Sequence, residues 1–157
     1  MPFIFTWPIL PPPSSTQGQL FGAVRGTAKP HTGLDMGTGG DAVLATADAT
    51  VLESRDTKDA RGQMIRLLLG TDENGDAWEV YYMHLASRGV AKGDAVESGQ
   101  PIAVAGMTGL PKPWPHLHFE VRKNNVPLDP LSVLSSKEST DGGLGWIAAA
   151  ATLLLFI

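Results

Sequence analysis

The sequence predicts a mostly β protein: one compact antiparallel β-sheet domain, preceded by an extended arm and followed by an apolar tail expected to be helical. Three observations carry that expectation. Eighteen Gly and twelve Pro among 157 residues exceed the roughly 12% combined share of average proteins and leave little room for long helices. From about Gly18 to Val133 short apolar runs alternate with turn residues, as in antiparallel strands joined by tight connections. The length suits a single ordinary domain with its own core.

Residues 1–17 run through five prolines, Pro2, Pro8, Pro11, Pro12 and Pro13, into Ser14, Ser15 and Thr16, a composition for an extended N-terminal extension rather than a packed element. The domain is expected over 18–134, with strands near Ala42 to Ala45, Thr50 to Leu52, Met64 to Leu69, Trp78 to Met83, Ile102 to Ala105 and His116 to Val121. Asn74-Gly75, between two of these runs, marks a hairpin. Residues 135–143, SSKESTDGG, read as a linker, and 144–157, LGWIAAAATLLLFI, as an uncharged tail. As a helix that tail covers roughly 21 Å, short of a hydrocarbon core of roughly 30 Å, so it is expected to enter one leaflet or dock on a hydrophobic protein partner.

Composition removes several functions. The net charge is -4 and the twelve Lys and Arg are scattered, without the basic stripe of a nucleic-acid partner. No cysteine is present, so there is no disulfide framework and no thiolate metal site, and His, Asp and Glu remain as transition-metal ligands.

All four histidines lie in short motifs. In HTGLD, His31 and Asp35 fall on one face if the segment is an extended strand, with Gly33 leaving that face open to a metal. In PHLHFEVR, His116 and His118 share one face while Leu117, Phe119 and Val121 share the other. Two imidazoles and a carboxylate give zinc three protein ligands and leave a position for water, the composition of catalytic zinc. The remaining imidazoles, His84 in YYMHL and one member of the HxH pair, suit proton transfer.

HTGLD at 31–35, YMHL at 82–85 and HLHFEVR at 116–122, in that order, resemble the lysostaphin-like, or LytM-type, zinc metallopeptidases. KGDAVESGQPIAVAGMTG from Lys92 to Gly109 resembles the family's succession of turns before the HxH strand, and NNVPLDP from Asn124 to Pro130 its closing hairpin. The resemblance spans roughly residues 20 to 131. It implies the antiparallel lysostaphin-like fold with a groove across the sheet, one Zn²⁺ per chain on His31, Asp35 and His118, and His84 and His116 as general base and transition-state stabiliser, in either order. It implies a peptidoglycan endopeptidase; the alternative is a non-catalytic binding or activator module of a cell-envelope assembly. Where the family carries small residues before HLHFE, this chain has LPKPWP, Leu110 to Pro115, which makes Trp114, with Tyr82, a candidate substrate-groove residue.

The apolar N-terminus has no Lys or Arg ahead of its hydrophobic stretch and no small-residue cleavage site, so it does not read as a secretory signal. Arm and tail together suit a protein held at a membrane, in the cell envelope or in a bacteriophage virion that pierces its host's wall.

Overall fold

The computed structural model describes residues 3–10, 19–24, 26, 29–37, 39–110 and 114–134. Nine antiparallel strands build the sheet: β1 Leu34–Met36, β2 Ala42–Leu44, β3 Ala49–Asp56, β4 Gln63–Thr71, β5 Ala77–Arg88, β6 Ala95–Val96, β7 Pro101–Ala105, β8 Leu117–Lys123 and β9 Val126–Leu128. A 3-10 turn at Pro130–Ser132 follows. The order β1-β8-β5-β4-β3-β6 forms the main path, with β9 on β8 and β7 joining β2 to β5.

Two of the hairpins show their turn chemistry plainly. Between β4 and β5, Asp72 receives the Asn74 amide on its carboxylate and Gly75 takes φ 84°. Between β8 and β9, Asn124 and Asn125 have φ 49° and 65°, the two left-handed residues of a type I′ hairpin, which Asn tolerates well.

Period-2 alternation then sorts the sheet into two faces. Leu34, Phe119 and Tyr82 lie across from one another on β1, β8 and β5, all fully buried with Ile65 and Leu67 of β4. Each such side chain contributes about 1.5–3 kcal/mol by leaving water. The segment after β2 crosses this face, where the Tyr82 hydroxyl accepts the Thr46 amide at 3.0 Å. The opposite face carries Asp35, His118 and Glu120, together with a small apolar cluster of Met64, Tyr81 and Met83.

Three expectations change. Tyr82 is no groove residue: it is fully buried in the core, and burial pushes its phenol pKa up to about 12. The HTGLD segment is not one strand. Its strand begins at Leu34, while His31 pairs back on the preceding loop through its amide to the Ala23 carbonyl at 3.0 Å. The arm is extended, but residues 3–10 pack on the domain. Phe3, Phe5, Trp7 and Ile9 alternate, and Phe5 and Ile9 join the core while Ile4 and Leu10 stay 69% and 65% exposed. The Thr6 amide reaches the Thr46 carbonyl at 2.7 Å, and the Leu44 amide reaches the Pro8 carbonyl at 2.8 Å. The alternating aromatics outweigh Pro8, whose carbonyl still accepts the Leu44 amide. The linker 135–143 and the tail 144–157 lie outside the described residues.

Docking of the arm has a measurable weight. Ile9→Ala is expected to lower unfolding free energy by about 2–4 kcal/mol, and Leu10→Ala by no more than about 0.5 kcal/mol, as read by urea denaturation. Equal small effects would show that the arm contributes nothing to the core.

Candidate active site

Strand register brings the cluster together. Asp35 of β1 lies directly across from His118 of β8, which in turn faces Met83 of β5. Gly33 permits this approach. A Cβ there would overlap the Phe119 carbonyl oxygen and stand 2.9 Å from His118 Nε2, so the missing side chain makes room for β8 rather than for a metal.

His31 Nε2 and His118 Nδ1 stand 3.1 and 2.7 Å from Asp35 Oδ1, and 3.0 Å from each other. Their tautomers follow from what lies behind each ring. His31 Nδ1 faces the Leu20 carbonyl at 2.9 Å, and a carbonyl only accepts, so Nδ1 carries the proton. His118 Nε2 faces the Glu120 carboxylate at 3.1 Å and donates likewise. In the neutral rings, the two nitrogens turned toward Asp35 therefore present lone pairs to an anionic oxygen and to each other. Positive charge is required between them.

The titration of the cluster expresses the same demand. Burial disfavours the His118 cation, yet Asp35 and Glu120 raise its pKa to about 9. Burial also opposes ionisation of Asp35, and His118 and His31 outweigh it, holding the carboxyl far below the usual range. A divalent cation satisfies all three donors at once where a proton satisfies one pair. Donor separations of 2.7–3.1 Å are a few tenths below the roughly 3.3 Å edges of a tetrahedral zinc site. The residues therefore fit the metal, and His31, Asp35 and His118 form the one group of this kind among the described residues.

The other two histidines line the same volume. His84 sits at a bulge in β5, with φ 62°, where the strand leaves β8 and begins to pair with β7. Tyr82 and Leu85 both face the core, so Met83 and His84 must share the open face, as a bulge requires. Its amide is held by the Arg61 carbonyl at 3.0 Å, and its Nδ1–H donates to the Thr108 carbonyl at 3.1 Å. Thr108 is itself fixed, donating to the Leu85 carbonyl at 2.8 Å and accepting the Gln63 amide at 2.9 Å. His116 Nδ1–H donates to the Trp114 carbonyl at 2.7 Å, and its Nε2 lies 3.6 Å from Asp35 Oδ1. The His84 and His116 rings meet edge-on at 4.9 Å. Both tautomers leave Nε2 with the lone pair, ready to exchange protons.

Trp114 is 44% exposed and its ring lies 4.3 Å from that of His116, so it walls the site on that side. Sequence reasoning passed over Glu120, Thr32, Arg122 and Thr108. The signal for two of them was available: His116, His118, Glu120 and Arg122 alternate along one strand, so the parity that exposes the histidines also places the carboxylate and the guanidinium on that face.

Fold and site define a class: an antiparallel β-sheet domain carrying a metallopeptidase-type His-Asp-His cluster. The model of peptidase family M23 matches residues 29–130, and the chain belongs to this family. It is 35% identical over 125 residues to the peptidoglycan DD-endopeptidase ShyB of Vibrio cholerae, covering 74% of this chain and 28% of that protein. It is 31% identical over 126 residues to the murein hydrolase activator NlpD of Escherichia coli, covering 78% and 31%. Among solved structures, the catalytic domain of the antimicrobial peptidase lysostaphin from Staphylococcus simulans superposes with a TM-score of 0.61 at 28% identity, covering 76% of this chain and 92% of that one. The chain spans about a quarter of the length of the curated relatives it matches first.

The site makes a prediction about protonation. Burial first, and then the positive charge of His118, lower the His84 pKa from 6.5 to about 4. Its ring is expected to remain neutral down to about pH 5 in NMR titrations of the histidine ring protons. Because the unfolded chain takes up this proton first, His84 leaves stability unchanged above pH 6.5 and removes it progressively as pH falls toward about 4. A His84 ring titrating near 6.5 would contradict this account of its burial.

Proposed function

We propose that this protein is a zinc-dependent endopeptidase that hydrolyses peptide cross-links of bacterial peptidoglycan. The observation that carries the reading is the convergence of three donor atoms beside two further imidazoles whose tautomers are set by backbone carbonyls. Similarity to ShyB and to the lysostaphin catalytic domain supports the substrate class.

His31, Asp35 and His118 would hold the zinc. Bound there, it supplies Lewis acidity toward a peptide carbonyl and lowers the pKa of water to near neutrality. His84 and His116 handle the protons. With Nδ1–H on a backbone carbonyl, a neutral ring can accept the proton of the attacking water on Nε2, and a ring protonated on Nε2 can donate to the group that develops negative charge. Trp114 offers an exposed aromatic face for the substrate chain, beside His116.

The similarity to NlpD favours a second reading, a domain that activates another murein hydrolase without cutting. Against it, every motif position that does chemistry in the first reading is filled here: His31, Asp35, His84, His116 and His118. We also place the protein at the cell envelope or in a phage virion, with residues 144–157 as its membrane or protein anchor, on the strength of their uncharged apolar composition.

Zinc content and digestion of purified peptidoglycan, with released ends read by mass spectrometry, test the reading together. The wild type is expected to hold about one zinc per chain and to cut unaided, and chelation to abolish cutting. His118→Ala should lose metal and activity together. His84→Ala and His116→Ala should keep zinc and lose about 100- to 10,000-fold in turnover. Truncation after Gly143 should leave both properties intact and remove binding to liposomes or to the parent assembly. Undiminished cutting by metal-free protein would overturn the mechanism, and zinc-loaded protein that only stimulates a second hydrolase would establish the activator instead.

A further inference from the structure

We propose that Glu120 is a positioning residue for the metal centre: clamped between Thr32 and Arg122, its carboxylate fixes the tautomer and ring plane of His118 and so aims Nδ1 at the other two ligands. This rests on the metal reading above and deepens it.

Glu120 is buried at 3% exposure, and both of its oxygens are engaged. Oε1 accepts the Thr32 hydroxyl at 2.6 Å and faces His118 Nε2 at 3.1 Å. Oε2 accepts from Arg122 Nε at 2.8 Å and from Nη2 at 2.6 Å. The Thr32 hydroxyl on Oε1 and the Arg122 guanidinium on Oε2 both donate, as they do to a carboxylate anion. An ionised carboxylate only accepts, so His118 carries its proton on Nε2 and turns the Nδ1 lone pair toward Asp35. Carboxylates behind metal-binding imidazoles orient them and make them stronger donors.

Two features separate this arrangement from an ordinary buried ion pair. Thr32 lies between His31 and Asp35 in sequence, so the oxygen that holds His118 also ties down the segment bearing the other two ligands. Arg122 is seated as well: Nη1 donates to Asn125 Oδ1 at 3.1 Å, and the guanidinium lies 4.6 Å over the Tyr81 ring. Tyr81 pairs with Glu120 across β5 and β8. The carboxylate cannot turn without breaking contacts with His118 and Arg122 of β8 and with Thr32 on the loop before β1.

The test is zinc affinity by competition with a chromophoric chelator, with the melting temperature of the metal-free protein measured alongside, for wild type, Glu120→Ala, Glu120→Gln and Thr32→Val. Glu120→Ala is expected to weaken zinc binding by about 10- to 100-fold. Glu120→Gln keeps an acceptor for His118 but loses the charge, so its loss should be smaller. Thr32→Val, which removes one hydroxyl from an otherwise exposed residue and is expected to leave the fold intact, should release zinc to the chelator faster than wild type. Folded Glu120→Gln and Thr32→Val proteins with wild-type affinity and release would overturn the proposal and leave Glu120 as a structural partner of Arg122. A wild type that takes up no zinc would overturn the metal reading itself and this inference with it.

Discussion

The site depends on one register, the antiparallel pairing that sets Asp35 against His118 while Leu34 and Met36 lie against Phe119 and Leu117. The core residues lock what the polar residues use. A slip of one residue would turn Leu34 and Met36 to the open face and carry Asp35 into the core. Several fully buried apolar side chains, at about 1.5–3 kcal/mol each, would be lost with it. The same pairing demands close approach at Gly33, and it concentrates lone pairs and negative charge at one point. The fold thus supplies the free energy that holds three donors together at a point that calls for positive charge.

A second device adjusts the first. Regular alternation along β5 would send His84 to the core with Tyr82, because two residues separate neighbours on a face. The left-handed conformation at His84 breaks that parity. The cost, of order 1–3 kcal/mol for a non-glycine residue, is supported by the Arg61 carbonyl on its amide and by Thr108 behind its ring. Gly109 lets the Thr108 loop lie against the β3–β4 turn, since a Cβ there would meet the Gly62 nitrogen at 2.5 Å. Loops far apart in sequence therefore combine to aim one imidazole.

Most of the fold was legible because the longer strands announce themselves. Met64 to Leu69, Trp78 to Met83 and His116 to Val121 lie within or at the edge of β4, β5 and β8, and Asn74-Gly75 marks their hairpin. β1 was not legible as a separate strand, since three residues with no outward neighbour leave no alternation to count. Tyr82 was misplaced because a bulge has no signature in residue type: YYMHL reads as unbroken alternation. The arm was misread for another reason. Proline was weighed as a breaker, while the alternating Phe3, Phe5, Trp7 and Ile9 pack on the core, Phe3 and Phe5 against Trp78 of β5. Asp35 and the four histidines were legible as a set, whereas the groups that fix the ring tautomers were harder to find, since the carbonyls of Leu20 and Thr108 belong to no side chain that a motif could name.

Peptide hydrolysis on such a site asks for rigid donors and mobile protons, and the chain separates the two. His31, Asp35 and His118 are braced by a carbonyl, by burial and by a carboxylate, while His84 and His116 are anchored through Nδ1 on backbone carbonyls. That division is tested most directly by anomalous diffraction at the zinc edge from crystals of the zinc-loaded protein. The account predicts one peak per chain, bonded to His31 Nε2, Asp35 Oδ1 and His118 Nδ1, with His84 and His116 beyond bonding distance. A peak centred on His84 and His116, or none at the cluster, would contradict it.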